Sequence, residues 1–320
     1  MINERDIALS TNWISEGQDS GPKMLDDLRN LGVKKLELSY KLGGKLLDET
    51  LAEIDGKGME AVSVHDICPK PDRSVCPKNP MLSSTDRGER KAAVEFARKT
   101  VDVAVASGAK AVVLHLGQVE MASGSMALLE HSGNWRDFNR YLARMHEERN
   151  RNRTPYFRAV LESLRELSDY AGSRNVSLGL ENRYWIEEIP IHGEFGEIFG
   201  KIDASNMGYW HDTTHAQAVE CLGGKKQEDY LRDYSGKLLG FHLSDLLGSA
   251  CPAGAGEGPD RDWLGRYLRF EIDHHAPGTG CVDFAMIKKY VKDQTILVFE
   301  LYKSVTPEKM AAGRDYFCKI

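Results

Sequence analysis

Short apolar runs recur along the chain, separated by stretches whose apolar positions repeat every three to four residues. Ile7-Ala8-Leu9-Ser10, Lys35-Leu36-Glu37-Leu38-Ser39, Ala61-Val62-Ser63-Val64, Ala111-Val112-Val113-Leu114, Val176-Ser177-Leu178-Gly179-Leu180, Gly208-Tyr209-Trp210, Leu238-Leu239-Gly240-Phe241 and Ile296-Leu297-Val298-Phe299 all have strand length and strand composition. Between them, helical periodicity runs from Lys23 to Leu31, where Gly32 stops it, and from Leu46 to Lys57. A helix capped by Ser84 or Thr85 carries Ala93, Phe96, Ala97, Val101, Ala104 and Val105 on one face. Another is opened by Pro155 and runs to about Ala171, and shorter ones follow over Glu194 to Ile202, Ala216 to Leu222, Asp283 to Val291 and Thr306 to Phe317.

Eight strands, each followed by helical sequence, mean a parallel sheet. With eight units the expected form is α/β, a single (β/α)8 TIM barrel spanning 1–320. Residues 118–153 and 246–270 exceed simple connections and read as insertions. The Pro- and Lys-containing stretch from Ile67 to Met81 reads as an active-site loop.

Composition narrows this only a little. The 320 residues are 41% hydrophobic and 28% charged, the make-up of a soluble globular protein with a sizeable core. A net charge of -6 weighs against a nucleic-acid surface. Six cysteines without a CxxC pair fit reduced thiols, and no apolar run approaches membrane-spanning length, so a cytoplasmic protein is expected. No GxGxxG or GxxxxGK[ST] points to a nucleotide site.

The chemistry lies at the strand ends. In a parallel barrel all strands finish on one face, so residues far apart in sequence converge there. Glu181, Asp212, His242 and Glu300 each close an apolar run, and the first three follow one another at about the 30-residue spacing of a β-α unit. A lone strand-terminal carboxylate is equally well explained as a helix cap or a lysine partner; four such residues on one face are better explained as ligands. Carboxylates with one or two imidazoles suit Mn, Mg, Co or Zn.

His65, His115, His215, His274 and His275 form a second tier at or just past strand ends. His65 and His115 read as metal ligands or substrate contacts. His211 precedes Asp212, so alternation turns it away from the side that Asp212 faces. Trp13, Trp185 and Trp210 are candidates for pocket walls or for packing, and Cys68 reads as a small buried residue rather than a nucleophile.

These motifs, Val64-His65, Leu114-His115-Leu116-Gly117, Gly179-Leu180-Glu181-Asn182, His211-Asp212-Thr213-Thr214-His215, His242-Leu243-Ser244-Asp245, Asp273-His274-His275 before Gly278-Thr279-Gly280, and Phe299-Glu300, together resemble the xylose isomerase-like barrel superfamily. That superfamily includes sugar epimerases and isomerases, inosose dehydratases and endonuclease IV enzymes. In the epimerase branch the resemblance implies one divalent metal (Mn, Zn, Co or Mg) on Glu181, Asp212, His242 and Glu300. Glu181 and Glu300 would also be the two acid/base groups of an isomerase or epimerase working through an enediolate. Substrate contacts would come from His65, His115, Arg183 and His215, with Trp13 and Trp185 as walls. The Arg expected six residues beyond the strand-seven histidine is Gly248 here.

In the endonuclease branch, up to three Zn would sit on His65, His115, Glu181, Asp212, His215, His242, Asp273, His275 and Glu300, and the substrate would be a nucleic acid. That branch fits less well. The segment after Asp273 is one residue short, the 246–270 loop is long, and no Arg-rich run interleaved with aromatics is present. An inosose-type dehydratase remains a further alternative, and a metal-free binding barrel would leave all four strand-end ligands idle. The partner expected on this reading is a small carbohydrate, with a homodimer compatible and no membrane.

Overall fold

The computed structural model describes residues 2–72, 74, 76, 78–132, 134–248 and 260–320. Among them, strands β1 (Ile7–Ser10), β2 (Lys35–Leu38), β3 (Glu60–His65), β4 (Ala111–Leu114), β5 (Ser177–Glu181), β6 (Met207–Asp212), β7 (Leu238–Leu243) and β8 (Ile296–Phe299) form one closed barrel. Each strand pairs in parallel with the next, and β8 returns to β1 through Ile7 opposite Leu297 and Leu9 opposite Phe299. The (β/α)8 expectation holds.

The strand alternation read from sequence sorts residues into two layers. Leu9, Leu36, Leu38, Val112, Leu114, Leu178, Leu180, Leu297 and Phe299 belong to the large core that strands and helices share. Ala8, Ala111, Val113, Trp210 and Val298 fill the barrel interior. Trp210 fits there because its neighbours lack side chains. A Cβ at Gly179 would lie 2.8 Å from Trp210 Cε3, and one at Gly240 would lie 2.6 Å from Cζ3. Trp210 is therefore interior packing beneath the site rather than a pocket wall.

Outside the barrel run α1 (Gly21–Asn30), α2 (Gly44–Glu53), α3 (Arg87–Ser107), α4 (Leu128–His131), α5 (Trp135–Gly172), α6 (His192–Lys201), α7 (Thr213–Cys221), α8 (Gln227–Tyr234), α9 (Arg261–Leu268), α10 (Phe284–Lys288) and α11 (Pro307–Lys319). The cap of α3 is Asp86, whose Oδ1 accepts from Glu89 N at 2.7 Å, and not Ser84 or Thr85.

A larger departure is α5, which does not open at Pro155 but starts at Trp135 and passes through the proline. An interior proline costs a helix about 3 kcal/mol through its missing donor and ring clash. Strong pairs hold the turns just before it. Buried Arg149 donates to both Glu194 oxygens at 2.8 and 2.9 Å and to Glu188 O at 2.7 Å, and Arg153 reaches Glu194 at 2.7 Å. The amino-terminal half of α5 thus fills much of 118–153, and Phe138 packs with Leu128, Met145, Leu264 and Tyr267 in a second core.

Of the stretch 246–270, residues 249–259 lie outside the described residues, including the Gly- and Ala-rich loop and Cys251. The expectation of reduced thiols holds at Cys68, Cys76, Cys281 and Cys318 and not at Cys221, which is disulfide-bonded. No helix among the described residues is long and apolar enough to cross a membrane.

Candidate functional site

The inward positions at the carboxyl ends of the strands carry the polar side chains. His242 of β7 is at their centre. Its Nδ1 lies 2.6 Å from Glu181 Oε1, 3.1 Å from Glu300 Oε2 and 3.9 Å from Asp212 Oδ2, while Nε2 lies 3.0 Å from Glu37 Oε2. All five residues are buried.

Backbone ties set the strand ends. The Asn182 side chain accepts from Asp212 N at 2.8 Å and donates to Asp212 O at 2.9 Å, joining β5 to β6. Thr213 Oγ1 donates to Ser244 O at 2.6 Å and accepts from Ser244 N at 3.0 Å, joining β6 to β7. Asp212 serves two purposes. Its Oδ1 caps α7 by accepting from His215 N at 2.7 Å, while its Oδ2 has no hydrogen-bond partner among the described residues.

The histidines present nitrogens to this cluster. His65 Nδ1 is 2.8 Å from Asp66 O, so it donates there and leaves Nε2 facing Glu181 Oε2 at 3.9 Å. His215 Nδ1 likewise donates to Asn182 O at 3.0 Å. His115 Nε2 stands 2.5 Å from Glu181 Oε2 and 2.6 Å from Arg183 Nη1, and the same Arg183 nitrogen reaches Glu181 at 3.0 Å. Arg183 Nε holds Glu188 at 2.9 Å. His211 turns outward to Tyr209 Oη at 2.6 Å and Gln227 Oε1 at 3.1 Å.

His275 is not brought to the cluster; its neighbour His274 is. The main chain of His275 pairs with Asp245 at 2.8 and 3.0 Å, and its Nε2 faces Glu271 O at 3.3 Å. The following loop is held on the Asp245 carboxylate, which accepts from Gly278 N, Gly280 N and Val282 N. A Cβ at Gly280 would meet Leu246 O at 2.1 Å, which explains a glycine there. His274 adopts φ +53°, unusual for a side chain this large, and puts Nε2 3.7 Å from Asp212 Oδ2 and 3.8 Å from Glu300 Oε2. Asp273 accepts from His274 Nδ1 at 3.0 Å and from Tyr302 Oη at 2.8 Å.

Trp13 and Trp185 are packing residues here. Trp13 is buried in the main core and donates Nε1 to Val305 O at 2.7 Å, and Trp185 packs on Tyr184 and Tyr267. Next to the cluster opens a cavity of about 870 Å³ lined by Tyr40, Lys41, Lys70, His115, Gln118 and Glu188, among others.

Sequence reading had missed Glu37, Tyr40 and Glu188, and had placed His275 rather than its neighbour His274 among the metal ligands. None carries a distinguishing signal: Glu37 takes a polar position in the alternation Lys35-Leu36-Glu37-Leu38-Ser39 and reads as a solvent-facing strand residue.

Charge explains what the cluster lacks. Burial pushes Asp212 up to about 6 and raises Glu300 as well. Burial acts the same way on Glu181, but the His242 and His115 imidazoles beside it pull it well below the usual carboxylate range. His242 moves oppositely: burial disfavours its cation, yet Glu37, Glu300 and Glu181 hold it well above an ordinary imidazole. Burying a charge without a partner costs several kcal/mol, and Glu37, Glu181, Asp212 and Glu300 crowd this one imidazole.

A divalent cation fits that deficit. His65, Glu181, His242 and Glu300 each offer a ligand atom within 4.8 Å of the others, as do Asp212, His215 and His274. Asp212 Oδ2, which has no hydrogen-bond partner among the described residues, and the mixed set of carboxylate and imidazole donors suit a borderline divalent metal.

A parallel barrel with such a cluster at the strand ends defines a TIM-barrel protein with a candidate metal centre. The chain belongs to the xylose isomerase-like TIM barrel family, whose model matches residues 25–320. Similar solved structures include a D-tagatose 3-epimerase-like protein, 15% identical, covering 98% of this chain and 96% of that one at a TM-score of 0.66. A 3-keto-D-glucoside 4-epimerase from E. coli is 12% identical over 98% and 99% of the two chains, at 0.65. The D-psicose 3-epimerase from Clostridium cellulolyticum H10 is 14% identical over 96% and 88%, at 0.60. At such identities the likeness is one of fold. Among curated proteins, none matches the chain.

Proposed function

We propose that the chain is a metal-dependent sugar isomerase or epimerase in which Glu181 and Glu300 exchange protons with a carbon next to a carbonyl. The observation that carries this reading is His242 Nδ1 facing oxygens of Glu181, Glu300 and Asp212, donors from four strand ends meeting beside an open cavity. Glu181, Asp212, His242 and Glu300 would hold the cation, with His65 Nε2 beside them. Bound there, a divalent cation supplies positive charge against the negative charge that develops on substrate oxygens when the adjacent C–H bond breaks.

The protein's own groups do the rest. Glu181 is kept ionised by His242, His115 and Arg183, which suits a base. Glu300, raised by burial, suits the acid that returns a proton. Arg183, fixed by Glu188 beside the cavity, and His115 are placed to donate hydrogen bonds to substrate hydroxyls.

The test is exchange of substrate carbon-bound hydrogen with deuterated water across a panel of ketoses and aldoses, with Mn, Co, Mg or Zn supplied. Glu181→Gln and Glu300→Gln should each lower exchange by about 10²-fold or more. Unchanged exchange in both variants would sink the proposal.

A second reading rests on Asp212, His215 and His274, a separate group of close ligand atoms that suits a further cation and phosphodiester hydrolysis. The guanidinium of Arg183 weighs against it by supplying the positive charge between His115 and Glu181. Two or three zincs per chain and cleavage of abasic-site DNA would favour that reading; one metal per chain favours sugar chemistry.

A further inference from the structure

Alternation along β2 turns Glu37 into the barrel while Leu36 and Leu38 join the apolar layer outside it. A carboxylate is an expensive residue to place there. Glu37 is fully buried, and its hydrogen bonds are to Ser63 Oγ, 2.8 Å from Oε2, and to His242 Nε2, 3.0 Å from the same oxygen. Its Oε1 has no hydrogen-bond partner among the described residues. Glu37 is neither exposed nor part of the cavity lining, so its charge acts on buried groups, chiefly His242 and less strongly His65.

An imidazole that keeps its Nε2 proton hydrogen-bonded to a carboxylate gives up its Nδ1 proton when a metal takes that place, so Nδ1 becomes the ligating nitrogen. That nitrogen faces Glu181, Glu300 and Asp212. Resting on the metal reading above, we propose that Glu37 is a positioning residue which fixes the tautomer and ring orientation of His242, and that the metal affinity of the site depends on this carboxylate outside the ligand set. Ser63, donating to the same oxygen, aims Glu37 in turn. Carboxylates that hold a ligating imidazole in this way raise its basicity, and their removal typically weakens metal binding by about 10- to 100-fold.

The test compares wild type, Glu37→Gln, Glu37→Met and Ser63→Ala by Zn²⁺ titration against a chromophoric chelator, with thermal unfolding of the metal-free forms alongside. ¹⁵N-histidine spectra of the Zn²⁺-loaded proteins report which His242 nitrogen keeps its proton. Glu37→Gln, which keeps an acceptor but loses the charge, should weaken Zn²⁺ by about 10-fold, and Glu37→Met by up to about 100-fold. Ser63→Ala should shift affinity in the same direction by less. Wild type should show the Nε2 proton.

A purely structural Glu37 would change unfolding and leave Zn²⁺ affinity alone. Folded Gln and Met variants binding Zn²⁺ within about twofold of wild type would overturn the proposal; should the Met variant not fold, the Gln and Ser63 variants decide it. Wild type that binds no Zn²⁺ would overturn this inference and the metal reading together. Zn²⁺ binding that follows the expected order without turnover of any sugar would overturn the sugar reading only.

Discussion

Asp212 carries two loads that a single substitution can separate. Its Oδ1 caps α7 and its unpartnered Oδ2 faces the cluster. Asparagine caps a helix about as well as aspartate, so Asp212→Asn keeps the bond to His215 N and removes only the charge. In the metal-free protein that charge is a liability. Burial, opposed by His274 and reinforced by Glu181, raises the carboxyl from 3.8 to about 6. A raised carboxyl makes no difference at pH values below its unfolded pKa, and its penalty is complete above its folded pKa. At about 1.4 kcal/mol per unit, the rise corresponds to ~3 kcal/mol lost at pH 7.5 and regained on acidification to about pH 4.

Urea unfolding of chelator-treated protein should therefore find Asp212→Asn more stable than wild type at pH 7.5, by up to ~3 kcal/mol, with the gap closing near pH 4. Adding metal should reverse the order. A ligand at about 1,000 times its Kd stabilises the form that binds it by about 4.1 kcal/mol, more than the ~3 kcal/mol gap, and the variant lacks a ligand oxygen. Asp212→Ala separates the remaining contribution, since losing the cap costs about 1 kcal/mol. A metal-free Asn variant less stable than wild type at pH 7.5 would refute the assignment of Oδ2 as a strained, cation-seeking oxygen.

Two further outcomes follow from the packing around the site. Gly179→Ala sets a methyl 2.8 Å from Trp210 Cε3, and overpacking of this kind costs about 1–3 kcal/mol; urea unfolding at wild-type stability would mean that Trp210 has room to shift. His211, which burial lowers from 6.5 to about 4, contributes stability that is present above its unfolded pKa and lost as pH falls toward its folded one. Between pH 7 and 5 the stability difference between wild type and His211→Gln should change by ~2 kcal/mol at the expense of wild type, and a pH-independent difference would contradict it.

The barrel was legible because its strands are buried on both faces, so each shows as a near-continuous apolar run, and because parallel strands force a helix between them. Helix limits were harder to read. Pro155 signals a helix start by local rule, and only the Arg149 and Arg153 pairs with Glu194, long-range in sequence, carry α5 through it. The α3 cap was misplaced among Ser84, Thr85 and Asp86 because adjacent residues can all cap and only the chain's path selects one.

The strand-end ligands were legible for a related reason. Glu181, Asp212, His242 and Glu300 each interrupt an apolar pattern where the barrel mouth begins, and topology alone makes such interruptions converge. His274 and His275 show where that logic stops. They are neighbours of identical chemistry in the connection between α9 and α10, not at a strand end, and which one faces the cluster is decided by Asp245, whose main chain pairs with His275 and whose carboxylate collects the amides of Gly278, Gly280 and Val282. That choice depends on a left-handed φ at His274, which no periodicity encodes. Glu37 is the opposite case. It keeps the polar phase of the alternation Lys35-Leu36-Glu37-Leu38-Ser39, which reads as a solvent-facing strand position, yet in the closed barrel that phase points inward, where a charge has no solvent to face. A buried charge at mid-strand needs a partner, and here the partner is the imidazole on which the cluster is built.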